Sequence, residues 1–304
     1  MKLSRAALVF VLLLVPAAPT VASPLPEAPA CPVFPANSVW NKPVNSLPVR
    51  KDSTIIINSI GASLHLHADF GSGLWDGGPI GIPITVVDST TPLSSVAFDY
   101  ADESDAGPYP IPDDVAIEGG PNADGDRHAI LIDKDSCALY ELFLLYPSWS
   151  AGSGAIWDLN SNHLRPLGWT SADAAGLPIL PGLARHDEVA SGSIDHALRF
   201  TVRRSRQAYI YPARHFASSY TSRALPPMGL RLKLRASFPA WKYPPQARVV
   251  LRALKKYGMI VADNGSSWYV SGAPDPGWDN NDLHTLGLVK GSDFRVVDTS
   301  TLRP

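Results

Sequence analysis

Prolines are frequent along this chain and limit the structures that it can form. There are 29 among 304 residues, nearly double the usual share of roughly 5%. Because proline ends helices and is excluded from central strands, this density predicts many short strands joined by long ordered loops. Hydrophobic residues make up 45% of the chain, which is ample for a core, and charged residues make up only 18%.

The first residues have the pattern of a secretory signal peptide. Lys2 and Arg5 form a short positive region, Ala6–Ala18 is apolar, and Thr20-Val21-Ala22 offers a cleavage position before Ser23. The apolar run is shorter than the roughly 20 residues of a membrane span. We therefore expect a secreted protein, extracellular or periplasmic, with no membrane span.

Cys31 and Cys137 are the only cysteines in the chain. An oxidising compartment would allow them to form a disulfide, which would tie the proline-rich start of the chain to a strand region more than a hundred residues away. The alternative is a free Cys31 in a mobile leader and a buried Cys137.

Positive charge is concentrated in residues 199–256, which contain fourteen Lys or Arg and no Asp or Glu. Residues 1–198 hold 22 carboxylates against nine basic side chains. Such segregation predicts either two complementary regions packed together or a cationic surface for an anionic partner. Nothing in the chain resembles a nucleic-acid-binding module, and export argues against a nucleic-acid partner.

Several segments have clear strand or hairpin patterns. Two apolar runs, His128–Asp133 and Ala138–Tyr146, flank a short polar turn and predict a hairpin. Residues 194–202 and 230–238 alternate with a period of two, which predicts half-buried strands with Asp195, Arg199 and Arg231 on the outer face. Ser53–Ile60 is also rich in β-forming residues.

One helix and one tight hairpin complete the predicted elements. Pro245–Tyr257 begins with proline, carries an apolar stripe and is followed by glycine, which indicates a helix. Asn264-Gly265 between two apolar runs indicates a hairpin turn. We predict a mainly β protein: antiparallel sheets in a sandwich-like single domain over 36–304 with one or two helices, after a signal peptide (1–22) and a proline-rich leader (23–35). The alternative is α+β.

Several stretches together resemble a family of secreted bacterial proteins that are common in soil organisms. They are DGDRHAILID (124–133), GSGAIWDLNSNHLRPLGWTSADAAGLPILPGL (152–183), IDHALRFTV (194–202), LPPMGLRLKL (225–234) and ADNGSSWYVSGAPDP (262–276). The resemblance implies secretion and one integrated unit over nearly the whole chain after the leader. It implies no reaction and assigns no catalytic residues.

Carboxylates are the first candidates for chemistry. Glu141 stands among apolar residues, so burial would raise its pKa unless a cation such as Arg127 pairs with it. A carboxyl with a raised pKa beside an ionised one is what glycoside cleavage needs. We therefore take Glu141 as the candidate acid, Asp126 as base or nucleophile, and Glu118 and Asp195 as further candidates. A buried, salt-bridged Glu141 with a purely structural role is the alternative.

Aromatic and basic residues are candidates for substrate binding. Trp157 and Trp169 lie in or beside turn-rich segments, where exposed rings stack on sugars. Tyr209, Tyr211, Arg214 and His215 stand in one short span and have the residue types by which a polysaccharide lyase neutralises a uronate and abstracts a proton. Arg199 is a further candidate for substrate binding. His196 lies on the apolar face of its strand and is expected to be a core residue.

Two groups of residues have the spacing of metal ligands. Asn122 and Asp124, followed by Asp126, alternate as calcium ligands do, although Arg127 stands where an EF-type loop needs glycine. His65, His67 and Asp69 also alternate, which would place them on one strand face as transition-metal ligands or simply as exposed polar residues. No cofactor is expected apart from a possible calcium ion.

These observations favour a monomeric glycoside hydrolase that acts on an extracellular polysaccharide. A uronate-specific polysaccharide lyase is the alternative enzyme, and a non-catalytic protein that binds glycans or cell walls is the alternative outside enzymology. Two carboxyls facing an open groove would favour hydrolysis, whereas a groove lined by Arg and Tyr would favour elimination. A flat aromatic strip would favour binding alone.

Overall fold

The structure is a computed structural model, and it describes residues 22–303. Its strands are short, as the proline content predicts. They are β1 (His67–Asp69), β2 (Leu74–Trp75), β3 (Gly78–Pro79), β4 (Ile84–Val87), β5 (Leu93–Ser94), β6 (Ala97–Phe98), β7 (Tyr109–Pro110), β8 (Ala129–Asp133), β9 (Ala138–Phe143), β10 (Ser150–Ala151), β11 (Ser153–Asp158), β12 (Leu198–Val202), β13 (Arg231–Leu234), β14 (Met259–Asn264), β15 (Tyr269–Ser271) and β16 (Phe294–Val296).

Helices are fewer and mostly short. The α-helices are α1 (Ser53–Ile60), α2 (His186–Ser191), α3 (Pro245–Lys256) and α4 (Asn280–His284). Single turns of 3₁₀-helix occur at Val39–Asn41, Ala101–Glu103, Leu180–Gly182, Ala240–Lys242, Thr285–Leu288, Gly291–Asp293 and Ser300–Leu302. Strands predominate over helices, so the predicted mainly-β or α+β class is confirmed.

The larger sheet has six strands in the order β1-β15-β12-β14-β13-β16. Its pairing is mixed, because β12 runs parallel to β14 and β1 runs parallel to β15, while the other pairs are antiparallel. Its apolar side chains share one core with α1 and α3. Helix α3 matches the helix predicted from the sequence.

Strand β12 lies inside this sheet, and both of its faces are covered. Leu198, Phe200 and Val202 are buried on one face, as the alternation predicts, but Arg199 on the other face is also buried. Arg231 of β13 is buried as well. The prediction that these arginines face solvent is therefore wrong, because alternation marks two faces of a strand but not what covers each face.

The smaller sheet has four strands in the order β11-β9-β8-β4. Strands β8 and β9 pair antiparallel from Ala129 opposite Leu142 to Asp133 opposite Ala138, which confirms the predicted hairpin. A separate apolar core forms on each face of the sheet.

The proline-rich segment after Ala22 packs against this sheet. Leu25, Cys31 and Phe34 are buried in the same core as Ile130 and Leu139 of the sheet, so this part of the predicted leader is folded with it. Cys31 and Cys137 form the predicted disulfide, with Cα atoms 5.2 Å apart and 106 residues between them in sequence. The predicted signal peptide, apart from Ala22, lies outside the described residues.

Two local predictions are wrong. Ser53–Ile60 forms helix α1 rather than a strand, because Ile56, Ile57 and Ile60 bury one helical face. The strands beside Asn264-Gly265 do not form a hairpin, because β12 lies between β14 and β15 and pairs with both.

Part of the positive charge of the basic segment is neutralised by acidic residues of the same chain. Arg199 and Lys256 of the basic segment pair with Asp173 and Asp195 of the acidic part, at 3.1 Å and 3.5 Å. Arg231 instead donates to main-chain carbonyls, including those of Val39 and Tyr257. Within residues 22–303 no helix has the length and apolar character needed to cross a membrane.

Candidate functional site

A cavity of about 520 Å³ opens at the edge of the larger sheet. Strands β1, β2, β3 and β15 and helix α4 contribute to its wall, together with the loop at Glu118-Gly119. Two chain segments meet closely there: Gly78 touches the Gly119 main chain, and a Cβ at Gly78 would overlap it. The glycine is therefore needed to bring Glu118 to this cavity.

Aromatic rings form much of the cavity surface. The Trp75 side chain is 78% exposed at the rim, and the rings of His67 and Tyr269 lie with their centroids 4.1 Å apart. Flat rings of this kind offer large, rigid surfaces on which sugar faces can stack. His284 and Asn280 add polar groups to the same wall.

Asp69, at the end of β1, supplies one carboxyl of the cavity. Its side chain reaches solvent along the cavity. Partial burial nevertheless raises its pKa, and the negative charges of Glu118 and Asp126 raise it further, against the opposing effect of His67. A carboxyl in this setting is stabilised in its protonated form.

Glu118 supplies a second carboxyl and is held by His128. Its Oε2 lies 2.6 Å from Nδ1 of His128, whose Nε2 lies 3.0 Å from the carbonyl oxygen of Ala172. Because a carbonyl only accepts hydrogen bonds, Nε2 carries a proton, and an imidazolium satisfies both contacts. Burial disfavours this charge, but Glu118 outweighs it and raises the pKa of His128 to about 9.

The same pairing has the opposite effect on Glu118. Burial alone would raise its pKa, but the charge and hydrogen bond of His128, together with Arg199, hold the pKa below its ordinary value. Within one cavity the pKa of Asp69 is thus raised and the pKa of Glu118 is lowered. Carboxyls with pKa values separated in this way can act as acid and as base or nucleophile.

A second cavity, of about 390 Å³, is lined by Glu103, Asp126, Asp263 and His215 among others. Burial and the charge of Asp173 raise the pKa of Asp263 to about 7. The charge of Asp126 acts on Asp263 and also on Asp69 in the first cavity. Asp126 is therefore close enough to both cavities for its charge to act in each, so the carboxylates of the two cavities influence one another's ionisation. We refer to these carboxylates together as one electrostatic group.

Arg199 is the buried cation of this group. Its guanidinium donates to both oxygens of Asp173 at 3.1 Å, to Asp263 at 3.2 Å and to the hydroxyl of Ser271. Burial opposes its positive charge, but Asp173 and Asp263 outweigh burial and raise its pKa. The sequence predicts that Arg199 binds substrate directly. Its donors are instead used within the protein, so Arg199 influences the cavity carboxylates only through its buried charge.

Glu141, the acid predicted from the sequence, lies in neither cavity wall. It is fully buried in β9, where its carboxylate accepts hydrogen bonds of 2.9 Å from the main-chain amides of Ile179 and Leu180. Burial raises its pKa to about 7, as the sequence predicted. Arg127 does not pair with it, and donates instead to carbonyls such as that of Leu145. The position gives Glu141 no path to a substrate.

The other predicted catalytic residues separate into two groups. Glu118 lines the first cavity and Asp126 lines the second. Asp195 does not: it accepts a hydrogen bond of 3.0 Å from the Tyr257 hydroxyl and lies beside Lys256. The sequence marks Asp69 only as a candidate metal ligand, and its alternation with His67 on one strand is the signal that places it beside the cavity.

The predicted substrate-binding residues are mostly outside the cavities. Trp157 is buried and Trp169 is half-buried, with Arg165 over its ring at 5.3 Å. Arg214 donates to the carbonyl of Arg165, and Tyr211 packs against the main core. Of this set, only His215 lines a cavity.

Two further histidines make contacts within the protein. His196 is buried, as predicted, with its Nε2 3.0 Å from Glu188. His65 contacts the carbonyl of Gly287 through Nδ1. Among residues 22–303 no group of three or more His, Cys, Asp or Glu side chains is placed to hold a metal ion, so neither the set at Asn122 and Asp124 nor the set at His65 gains support.

Comparison with models of protein families, with curated proteins and with solved structures finds no match to this chain. The geometry of the cavities and the residues that line them are therefore the basis for a functional assignment.

Proposed function

We propose that this protein is a secreted glycoside hydrolase that cleaves an extracellular polysaccharide in the cavity of Asp69 and Glu118. The observation that carries the proposal is that two carboxyls, Asp69 and Glu118, line one cavity and have pKa values shifted in opposite directions. Secretion is supported by the signal-like start of the chain, and the disulfide is compatible with it.

In this mechanism Asp69 is the general acid. It donates its proton to the glycosidic oxygen as the bond from that oxygen to the anomeric carbon breaks. Glu118, ionised through its pairing with His128, either takes a proton from the attacking water or attacks the anomeric carbon itself. In the second case water then cleaves the glycosyl–enzyme bond. Trp75 and Tyr269 would hold the flanking sugars by stacking.

The charges of the cavities favour hydrolysis over elimination. A uronate lyase needs a free cation to neutralise the substrate carboxylate, but Arg199 is buried and paired with Asp173 and Asp263. Among the described residues that line the two cavities there are several carboxylates, including Asp126 and Glu118, and no Lys or Arg. Such a surface would repel a polyuronate. The proposed substrate is therefore a neutral or cationic glycan.

A panel of polysaccharides tests the proposed reaction. The panel includes neutral glucans, xylans and mannans, an amino-sugar polymer and a polyuronate, and each is assayed for new reducing ends and for the absorbance of unsaturated products. Hydrolysis releases reducing ends without that absorbance. Unsaturated products from the polyuronate would establish the lyase, and saturable binding without cleavage of any polymer would establish the non-catalytic alternative.

A further inference from the structure

A buried carboxylate lies where the start of the described chain meets helix α2. Glu188 of α2 is 1% exposed. Its Oε2 lies 3.0 Å from Nε2 of His196, but its Oε1 accepts no hydrogen bond and lies 3.4 Å from Nη2 of Arg185. Oε1 therefore has a long ion pair with Arg185 but no short, well-aligned hydrogen bond, which is costly for a buried carboxylate oxygen that has lost its contacts with water.

The chain at Ser23 is fixed beside this oxygen. Nη2 of Arg185 donates to the main-chain carbonyl of Ser23 at 2.6 Å. Burial opposes ionisation of Glu188, but His196, Arg185 and the main-chain amide of Ser23 outweigh it and lower its pKa. Ala22 and Leu25, on either side of this contact, are both buried.

We propose that this is a binding site for the protein's own processed N-terminus. A signal peptidase would hydrolyse the bond between Ala22 and Ser23, placing the oxygen of water on the Ala22 carboxyl and leaving an amine on Ser23. That amine takes up a proton and pairs with Oε1 of Glu188. The proposal depends on the cleavage expected from the sequence and does not depend on the proposed hydrolase activity.

An ammonium offers Glu188 more hydrogen-bond donors than an amide does. Arg185 already makes two contacts of 3.1 Å with Asp187, so its charge is largely compensated there. Nδ1 of His196 is used by the carbonyl of Ala197 at 2.8 Å. An ammonium brings three donors and one positive charge to Glu188, whereas the uncleaved amide brings one donor and no charge. Removal of Ala22 also vacates a buried position next to the amine.

The first test compares two forms of the mature chain. One begins at Ser23 with a free amine, released from a cleavable fusion, and the other carries Gly-Ala before Ser23. The free form should melt about 2–6 °C higher, and Glu188→Gln should abolish the difference. The matched control, Glu27→Gln at an exposed carboxylate, should preserve it. Equal melting temperatures of the two unsubstituted forms would overturn the proposal.

A second measurement is independent of whether Glu188→Gln folds. Periodate oxidises an N-terminal serine through its free amine and hydroxyl, and mass spectrometry follows the reaction. In the folded Ser23 form the oxidation should be at least about tenfold slower than in urea, because the amine is protonated and shielded by Glu188. Equal rates in the two conditions would contradict the pairing. So would an exported protein whose first residue is not Ser23.

Discussion

Glu118 and His128 form an ion pair with 2.6 Å between Oε2 and Nδ1, and the ring is fixed from its other side by the carbonyl of Ala172. His128 is buried, whereas Glu118 remains partly exposed to the cavity. The buried positive charge of His128 therefore stabilises the ionised form of a carboxylate that a substrate can reach. In the proposed mechanism this keeps Glu118 ionised.

The first prediction concerns the pH dependence of stability. The pKa of His128 is about 9 in the folded protein and near the ordinary 6.5 when unfolded. Its stabilising effect is therefore fully present below about pH 6.5 and lost as the pH rises through about 9. In urea unfolding, the free energy of unfolding of wild type should fall by up to about 3 kcal/mol more than that of His128→Gln over this interval, at roughly 1.4 kcal/mol per unit of pKa. Identical pH profiles would contradict the ion pair.

The second prediction concerns the pH dependence of activity. The acid limb of kcat/KM should follow ionisation of Glu118, and the alkaline limb should follow deprotonation of Asp69. Because His128 lowers the pKa of Glu118, His128→Gln should move the acid limb to higher pH. Measuring kcat/KM from pH 3 to 9 on the best polysaccharide checks this. An acid limb that stays in place would exclude His128 as a positioning residue.

The third prediction separates Glu141 from catalysis. Its folded pKa of about 7 lies above the ordinary 4.5, so ionisation of Glu141 destabilises the fold as the pH rises from about 4.5 to 7. Relative to Glu141→Gln, the free energy of unfolding of wild type should fall by about 3 kcal/mol over this interval, at roughly 1.4 kcal/mol per unit of pKa. Where the variant is folded, its activity should be close to that of wild type. A hundredfold loss of activity in a stable variant would contradict this and indicate that Glu141 takes part in catalysis.

The fourth prediction concerns the disulfide. Cys31 and Cys137 close a long loop and anchor the N-terminal segment on the smaller sheet. Replacing both by serine should cost about 4 kcal/mol in the chain-entropy model and lower Tm by about 10 °C. Scanning calorimetry of the double variant tests this, with reduced wild type as the control. An unchanged Tm would show that packing alone holds the N-terminal segment and that the disulfide adds no stability.

Local patterns predicted local structure, while the site depends on distant contacts. The hairpin of β8 and β9 and helix α3 follow from neighbouring residues, so the sequence indicated both. The Asn264-Gly265 turn misled because β12, far away in sequence, inserts between the flanking strands. Glu118 was found as a carboxylate near a hairpin, but its partner Asp69 was not, because a close contact of Gly78 with Gly119 brings their segments together.

The central claim is that Asp69 and Glu118 together cleave a glycosidic bond. It is tested most directly by reducing-end release from the polysaccharide that wild type cleaves best, measured for Asp69→Asn, Glu118→Gln and the control Asp114→Asn. Asp114 is an exposed carboxylate outside both cavities. With folding verified by circular dichroism, the first two variants should lose about 10²–10⁴-fold in kcat, and the control should match wild type. Full activity in both cavity variants would contradict the claim.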